Sequence, residues 1–222
     1  MRKLSVFLLF FCLTAVLYPQ NDSSAVGGAF SIIAKKDGLR FIFNGNDEHF
    51  QFDLKCDEFK PIEASNMIFM VDDFLFQITP VPLEEIIGKN HKKYNDSLAL
   101  LYHFAYEART IRNSIIGKYK IIPEFITSEK GKLLYLWYFD MPKPAFDETD
   151  SLSHNVVKQM YATGRFGNYI LMLSSALIAE NNPENVRKTF IETLSSVRVS
   201  DAPIDPEAVR QELIEEAKEN KD

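Results

Sequence analysis

The sequence is poor in cysteine, glycine and positive charge, and each shortage excludes a class of protein. Two cysteines and nine glycines in 222 residues cannot build a disulfide scaffold or a collagen-like repeat. Because 25 basic residues face 31 acidic ones, the net charge of −6 disfavours nucleic-acid binding as the main task. A hydrophobic content of 46% is too high for long disorder. The composition is that of a folded domain.

The one long apolar run stands at the amino terminus. Arg2 and Lys3 precede an apolar stretch over 4–17, which is shorter than the roughly 20 residues that a membrane-spanning helix needs. This pattern predicts a signal peptide over residues 1–25, cleaved between 20 and 25. We therefore expect a secreted or periplasmic protein without a transmembrane segment in the mature chain. Peripheral association with the cell envelope stays open.

Cysteine usage agrees with an export route that does not rely on disulfides. Cys12 lies in the signal peptide, and Phe11 before it disfavours lipid attachment, which requires a small residue there. Cleavage would leave Cys56 as the single thiol, so no internal disulfide can form. We predict that Cys56 serves as a small hydrophobic residue near a strand end. A reactive thiol or an intermolecular bridge is disfavoured, because neither a CxxC motif nor a neighbouring histidine activates this cysteine.

Alternating apolar residues between turn dipeptides predict antiparallel strands in the first half. The strands are expected over 29–35, 39–43, 48–54, 66–71 and 74–79. Asp37-Gly38 and Asn44-Gly45 are expected to form tight turns, while Pro80 and Pro82 are expected to end the sheet. The third strand should have one wet face, formed by His49, Gln51 and Asp53.

The second half mixes helical and strand patterns. A helix is predicted over 94–112, with an apolar stripe at spacings of three and four formed by Leu98, Leu101, Tyr102, Ala105 and Ala108. Strands are predicted over 119–127, 132–141, 156–163 and 168–175, of which 132–141 is apolar on both faces and should be central. Asn182-Pro183-Glu184 and Asp205-Pro206-Glu207 are start signals for two more helices.

These elements predict an α+β protein in which helices cover a mostly antiparallel sheet. Residues 26–200 fit a single domain. Residues 201–222 carry eight acidic and three basic residues, which predicts an acidic C-terminal helix or tail with a solvated face.

The succession of the 94–112 helix, the strands KGKLLYLWYFDM, VVKQMYATG and NYILMLSS, and the helix NPENVRKTFIETLSSVRV carries a family resemblance. Over roughly residues 93–198 the chain resembles the PsbP/Mog-like α/β/α sandwich family, including exported bacterial DcrB-like proteins. The amino-terminal hairpins depart from the family's usual opening and are candidates for a separate sheet. The resemblance implies an accessory or binding protein of membranes and photosystems, or a small trafficking factor. It implies no catalytic motif and assigns no functional residue.

Chemical motifs are few. Neither G-x-S-x-G nor a nucleotide-binding glycine loop occurs, and the neighbours Ser153 and His154 do not by adjacency make a triad. The four histidines show no metal-ligand spacing, so we predict no catalytic residue, no metal and no cofactor. His103 and Glu107 stand four apart on a helix, which favours a surface hydrogen bond over a ligand pair.

The long connection over 142–155 is the candidate binding segment, because long loops often carry function. Its candidate residues are Asp147, Glu148, Asp150 and His154. A calcium site is disfavoured since the D-x-D-x-D-G series is missing, which leaves a partner-contact loop or a plain solvated loop. The basic residues Lys89, His91, Lys92 and Lys93 are interpreted as a solvated loop. The aromatic run Tyr135, Trp137, Tyr138 and Phe139 is interpreted as core.

The sequence thus predicts an exported, non-enzymatic accessory or binding protein for an unknown protein or small-molecule partner. Two alternatives stay open. One is a small extracytoplasmic hydrolase of unrecognised class that uses the 142–155 loop. The other is a carrier of a small apolar ligand, which would require a cavity between sheet and helices.

Overall fold

A computed structural model describes residues 28–62, 67–115, 117–142 and 156–219. The predicted signal peptide over 1–25 lies outside these residues and stays a prediction. The elements are β1 (Gly28–Lys35), β2 (Gly38–Gly45), β3 (His49–Lys55), β4 (Phe59–Pro61), β5 (Ile68–Val71), β6 (Phe74–Pro82), α1 (Leu83–Ile87), α2 (Asp96–Ser114), β7 (Ile122–Thr127), β8 (Leu133–Asp140), β9 (Val156–Phe166), β10 (Tyr169–Ile178), α3 (Pro183–Ser195), β11 (Arg198–Ser200) and α4 (Pro206–Glu219). The strands β4 and β11 and the helix α1 are too short for the sequence pattern to reveal.

The strands form two sheets. One has four strands in the order β1-β2-β3-β11, and the other has seven in the order β4-β5-β6-β10-β9-β8-β7. Every pairing in both sheets is antiparallel. The predicted class, an α+β protein with a mostly antiparallel sheet covered by helices, is confirmed. The amino-terminal strands β1 to β3 lie in the smaller sheet, separate from the larger one, and β11 is its fourth strand.

Three apolar clusters hold the layers together. The largest lies between the two sheets, where the rings of β2 and β3 meet the inner face of the larger sheet, and α3 contributes Phe190. The second lies between the outer face of the larger sheet and α2. The third is small and joins Val209 of α4 to the outer face of the four-stranded sheet. The stack therefore runs from α2 through the larger sheet and the smaller sheet to α4.

The helix start signals act as predicted. Asn182 Oδ1 accepts a hydrogen bond from the Glu184 amide at 3.0 Å, and Asp205 Oδ1 accepts one from the Glu207 amide at 2.9 Å. These caps satisfy donors that a helix leaves unpaired at its first turn. Asn95, one of the candidate caps for α2, accepts from the Leu98 amide at 2.9 Å.

The expectation that Pro80 and Pro82 end the sheet is wrong, since β6 continues to Pro82 and pairs with β10 from Gln77 to Pro82. Ile78 donates its amide to Met67 on the β5 side, and backbone groups alternate between the two edges of a strand. The nitrogens of both prolines therefore point toward the β5 side. Because β5 pairs with β6 only as far as Gln77, the missing N–H groups break no ladder.

Two further strand predictions need correction. β8 is apolar on both faces as expected, but it lies next to the edge strand β7, and the central strand is β10. The Asn44-Gly45 pair is not a turn, because β2 runs through Gly45. The Asn44 side chain instead accepts from the Ile204 amide and donates to the Ile204 carbonyl, each at 2.8 Å, and this fixes the chain before α4.

The predicted wet face of β3 is largely covered. His49 is buried, and Asp53 forms a bidentate ion pair with the buried Arg40 at 2.7 and 3.0 Å. The hydrogen bond and charge of Asp53 raise the pKa of Arg40, and Glu212 and Glu216 of α4 act in the same direction. The amphipathic α4 shields this face, which a strand pattern alone cannot show.

Candidate functional site

The predicted binding residues Asp147, Glu148, Asp150 and His154 lie outside the described residues. Their prediction, and that of the 142–155 loop as a binding segment, remain untested. The residues on either side of this segment are hydrogen-bonded to each other, because the Met141 amide donates to the Val157 carbonyl at 2.9 Å.

The His103–Glu107 pair is not a surface hydrogen bond, as the sequence interpretation had it. Both side chains are buried, and Nε2 of His103 lies 3.8 Å from Oε1 of Glu107, beyond hydrogen-bond length. Neither ring nitrogen of His103 has a hydrogen-bond partner within the described ranges. Complete burial lowers the pKa of His103 to about 3, so the imidazole is neutral near pH 7.

The surroundings of His103 are those of a core. Its ring lies 6.0 Å from the ring of Trp137, which stacks on Tyr161 at 5.3 Å between centroids. Burial, followed by the charge of Glu107, raises the pKa of Tyr161, which keeps its phenol protonated. Because His103 has no access to solvent, it cannot act on a substrate in this arrangement.

The aromatic run of β8 and the thiol of Cys56 bear on two more predictions from the sequence. Tyr135, Trp137 and Phe139 are buried under α2, as expected for core. Their neighbour Tyr138 points to the opposite face, where the Lys158 ammonium lies 4.5 Å from its ring. Burial raises the pKa of the Cys56 thiol, which fits an unreactive side chain at the end of β3.

In residues 28–62, 67–115, 117–142 and 156–219, no group of three or more His, Cys, Asp or Glu side chains could hold a metal ion. Across those four ranges, no helix combines the length and the apolar character that crossing a membrane requires. Within the basic segment before α2, His91 is buried beside the Gly88 carbonyl, while Lys92 and Lys93 are exposed.

Most of the predicted apolar stripe of α2 lies on its exposed side, and only Ala108 of that stripe is buried. Leu98, Leu101 and Tyr102 are 45%, 39% and 47% exposed, and Tyr106 is 42% exposed. The side that packs on the sheet is instead formed by Ala99, Leu100, His103, Glu107, Ala108 and Ile111. Apolar residues occur on both sides of this helix, so spacing alone could not choose between them. The small alanines let α2 approach the sheet, and the rings of His103 and Phe104 lie against Trp137.

A groove continues this exposed side toward β7. It has a volume of about 300 Å³ and is lined by Phe104, Ala105, Ala108, Arg109, Arg112 and Asn113. The ring of Tyr135 lies 5.2 Å from Phe104 and 4.4 Å from Phe125 of β7, which is itself 43% exposed. We define the α2–β7 face by the helix residues Leu98, Leu101, Tyr102, Phe104, Ala105, Arg109 and Arg112 together with Phe125. The rings of Phe104, Tyr135 and Phe125 form a continuous series of aromatic contacts from α2 to β7.

The electrostatics of this region differ from those of the whole chain. Arg109 and Arg112 are exposed, as are Lys118 and Lys120 in the segment that follows α2. In the described part of the chain none of the four takes part in an ion pair, although the net charge is −6. Burial raises the pKa of Tyr119, and the charge of Arg112 opposes this shift, so Arg112 lies near the segment that carries both lysines.

Within the part of the chain that the structure describes, the outer edge of β7 is open. This strand ends the larger sheet, and no other strand of the described ranges pairs with its outer side. The Ser128 amide donates to the Lys132 carbonyl at 2.9 Å on the β8 side. Because backbone groups alternate along a strand, the N–H and C=O groups of Phe125 and Thr127 point away from β8. They present donors and acceptors to an incoming backbone.

The sequence interpretation did not single out Arg109, Arg112 or Phe125. A signal was present, because neither arginine has an acidic residue three or four positions away along the helix. In a chain with an acidic excess, such arginines are candidates for contacts with another molecule. The position of Phe125 beside the groove depends on the pairing of β7 with β8, which no local pattern reveals.

No protein-family model and no curated protein sequence matches this chain. Among solved structures, it is similar to the solution structure of cyanobacterial PsbP (CyanoP) from Synechocystis, with 11% identity and a TM-score of 0.38 over 78% of this chain and 93% of that chain. It is also similar to the crystal structure of the Saccharomyces cerevisiae Ran-binding protein Mog1p, with 11% identity and a TM-score of 0.36 over 77% of this chain and 95% of that chain. These matches agree with the family resemblance of the sequence, and they concern the fold alone.

Proposed function

We propose that this chain is an exported, non-enzymatic accessory protein that binds a protein partner through the α2–β7 face. The carrying observation is that three large apolar side chains of α2, those of Leu98, Leu101 and Tyr102, are each about two fifths exposed or more and share a helix with the surface groove beside Phe104. Contiguous apolar surface of this kind commonly marks a protein interface. Phe104 and two arginines line the groove, and aromatic residues and arginine are enriched in interfaces.

Export rests on a separate observation, the pattern of residues 1–25. A basic pair followed by a short apolar run is typical of a cleaved signal peptide. Intact-mass measurement of the protein from its own source tests this part alone. A mature chain beginning between residues 21 and 26 supports export, and an intact amino terminus contradicts it.

The docking surface can be tested by site-specific photo-crosslinking in the source cells. A photoreactive phenylalanine at Tyr102, which is 47% exposed, is compared with the same group at Val199, which is 48% exposed but lies in the four-stranded sheet. We expect a discrete protein adduct of one mass at Tyr102 and none at Val199. The adduct should disappear in the Leu101→Asp background and persist with Ile214→Asp, an equally polar change on exposed α4. The same adducts at both crosslinker positions would contradict the proposal.

The described residues offer no observation that favours a hydrolase or an apolar-ligand carrier over this function. The hydrolase would depend on His154 and its neighbours, which are not among them. The groove beside α2 opens at the surface and is flanked by two arginines, which suits an interface better than an enclosed apolar cavity.

A further inference from the structure

We propose that the partner contributes an acidic, extended segment that adds as a strand to the outer edge of β7 and places carboxylates against Arg109 and Arg112. This inference rests on the proposed function and names the chemistry of the partner. It combines three features of the described residues: a strand edge without a partner strand, basic side chains without an ion pair, and the ring contacts that join Phe104 to Phe125 through Tyr135.

The strand edge supplies the backbone part of the interaction. The amides of Phe125 and Thr127 and their carbonyls point outward, as does the carbonyl of Pro123 by the same alternation. An added strand would lie about 4.8 Å from β7, with alternate side chains directed to the α2 side of the sheet. Main-chain hydrogen bonds then provide affinity, and the alternate side chains provide selection.

The selection follows from what these alternate side chains would meet. On the α2 side, β7 presents Phe125, and the groove beyond it presents Phe104 and the two arginines of α2. Carboxylates suit guanidinium groups because the pair forms charge-assisted hydrogen bonds. Lys118 and Lys120 extend the positive charge along the same region. An acidic segment with interspersed apolar residues therefore complements the surface.

The other face of β7 imposes a different requirement. There Glu124 forms an ion pair with Arg187 of α3 at 3.0 Å, so its charge is already compensated. Side chains of the added strand on that face need carry no charge. The recognised pattern is thus acidic residues on one face only, that is, at alternate positions.

A peptide fits these features better than a nucleic acid or an anionic membrane. Polyphosphates and lipid headgroups would engage the basic residues, but they have no regular series of N–H donors for the outward carbonyls of β7. The overall charge of −6 further opposes a long polyanion.

The test measures binding of labelled octapeptides to the mature protein by fluorescence anisotropy. The probe alternates Glu and Val, and its matched control alternates Lys and Val. A third peptide has the acidic sequence with N-methylated alternate residues, which removes strand pairing and keeps charge. We expect the acidic probe to bind about tenfold or more tightly than either control, since it alone offers both carboxylates and a pairing backbone.

Two variants test the two halves of the interaction. Arg109→Gln with Arg112→Gln should weaken binding of the acidic probe by about tenfold or more, while Lys36→Gln with Lys218→Gln removes equal charge elsewhere and should change it less than about twofold. Thr127→Pro removes an outward N–H without touching the β8 ladder and should also weaken binding about tenfold. Hydrogen exchange should show the amides of Phe125 and Thr127 protected by the acidic probe.

Other outcomes overturn the inference in identifiable ways. Equal binding of the N-methylated peptide would show that charge accounts for binding without strand pairing. Tighter binding of polyuridylate or of anionic phosphatidylserine vesicles would assign the basic surface to another class of ligand. Binding seen only after Asp147→Asn, Glu148→Gln and Asp150→Asn would identify this chain's own segment as the occupant. A crosslink at Tyr102 that survives Thr127→Pro and the double arginine variant would retain the proposed function and reject strand addition.

Discussion

Acid should destabilise this protein through His103 well before its carboxylates are protonated. The imidazole is completely buried, and its pKa is lowered from the ordinary 6.5 to about 3 because burial disfavours the charged form. The groups that face it are the Glu107 carboxylate at 3.8 Å and the ring of Trp137 at 6.0 Å, with Tyr161 behind. At 3.8 Å the carboxylate does not offset the loss of hydration.

The sign and size of this change in stability follow from the difference between the pKa values of His103 in the folded and unfolded states. Since the folded pKa lies below the unfolded one, the unfolded state binds the proton first, and stability falls as pH decreases from about 6.5 toward 3. Between pH 7 and pH 5 the expected loss in the free energy of unfolding is about 2 kcal/mol. In that interval ordinary carboxyl groups stay ionised, and the ion pair with Arg40 and Lys35 lowers the pKa of Asp53 further.

Urea unfolding of the mature protein at the two pH values measures this loss. The single tryptophan, Trp137, lies in the same cluster and reports its opening by fluorescence. Between pH 7 and pH 5 we expect the free energy of unfolding of His103→Leu to fall by about 2 kcal/mol less than that of the wild type. Leu100→Ala, a cavity variant on the same side of α2, controls for lower stability and should keep the wild-type pH dependence. An unchanged pH dependence in His103→Leu would refute the reasoning.

Three further variants test the packing of the two sheets, each by urea unfolding. Asp53→Asn should cost about 3 kcal/mol because it leaves the buried Arg40 charge unpaired, and a loss below about 1 kcal/mol would contradict a buried pair. Gly38→Ala should cost more than about 2 kcal/mol, since φ is 136° and an added Cβ would clash with the Leu54 carbonyl oxygen. Phe190→Ala should cost about 3 to 5 kcal/mol through the cavity left in the inter-sheet cluster, and a smaller cost would indicate that α3 is loosely packed.

Much of the local structure was predictable because it depends on neighbours in sequence. Asn182 and Asp205 cap helices through amides two residues away, so the signal and its effect lie together. Because β8 is apolar on both faces, the sequence likewise predicts that both faces are buried. The structure buries one face in the inter-sheet cluster and the other in the cluster beneath α2.

The candidate site was much less predictable. The sequence predicts a binding segment over residues 142–155, whereas the binding face that we propose from the structure lies on α2 and β7. The two sides of α2 are both apolar in part, and the choice between them depends on how each fits Trp137, a residue 34 positions after His103. Nothing local to the helix encodes that fit.

The sequence by itself determined the class of fold, the antiparallel hairpins and the starts of α3 and α4, because turn and capping energies act over a few residues. Only the tertiary structure decided that Pro80 and Pro82 could remain in a strand, since this depends on where β5 stops. It also decided that Leu101 and Tyr102 face outward and that, among the described residues, β7 has no partner strand on its outer edge. These outcomes depend on which distant elements pack together, and packing free energy over a whole sheet outweighs the small preferences of individual residues.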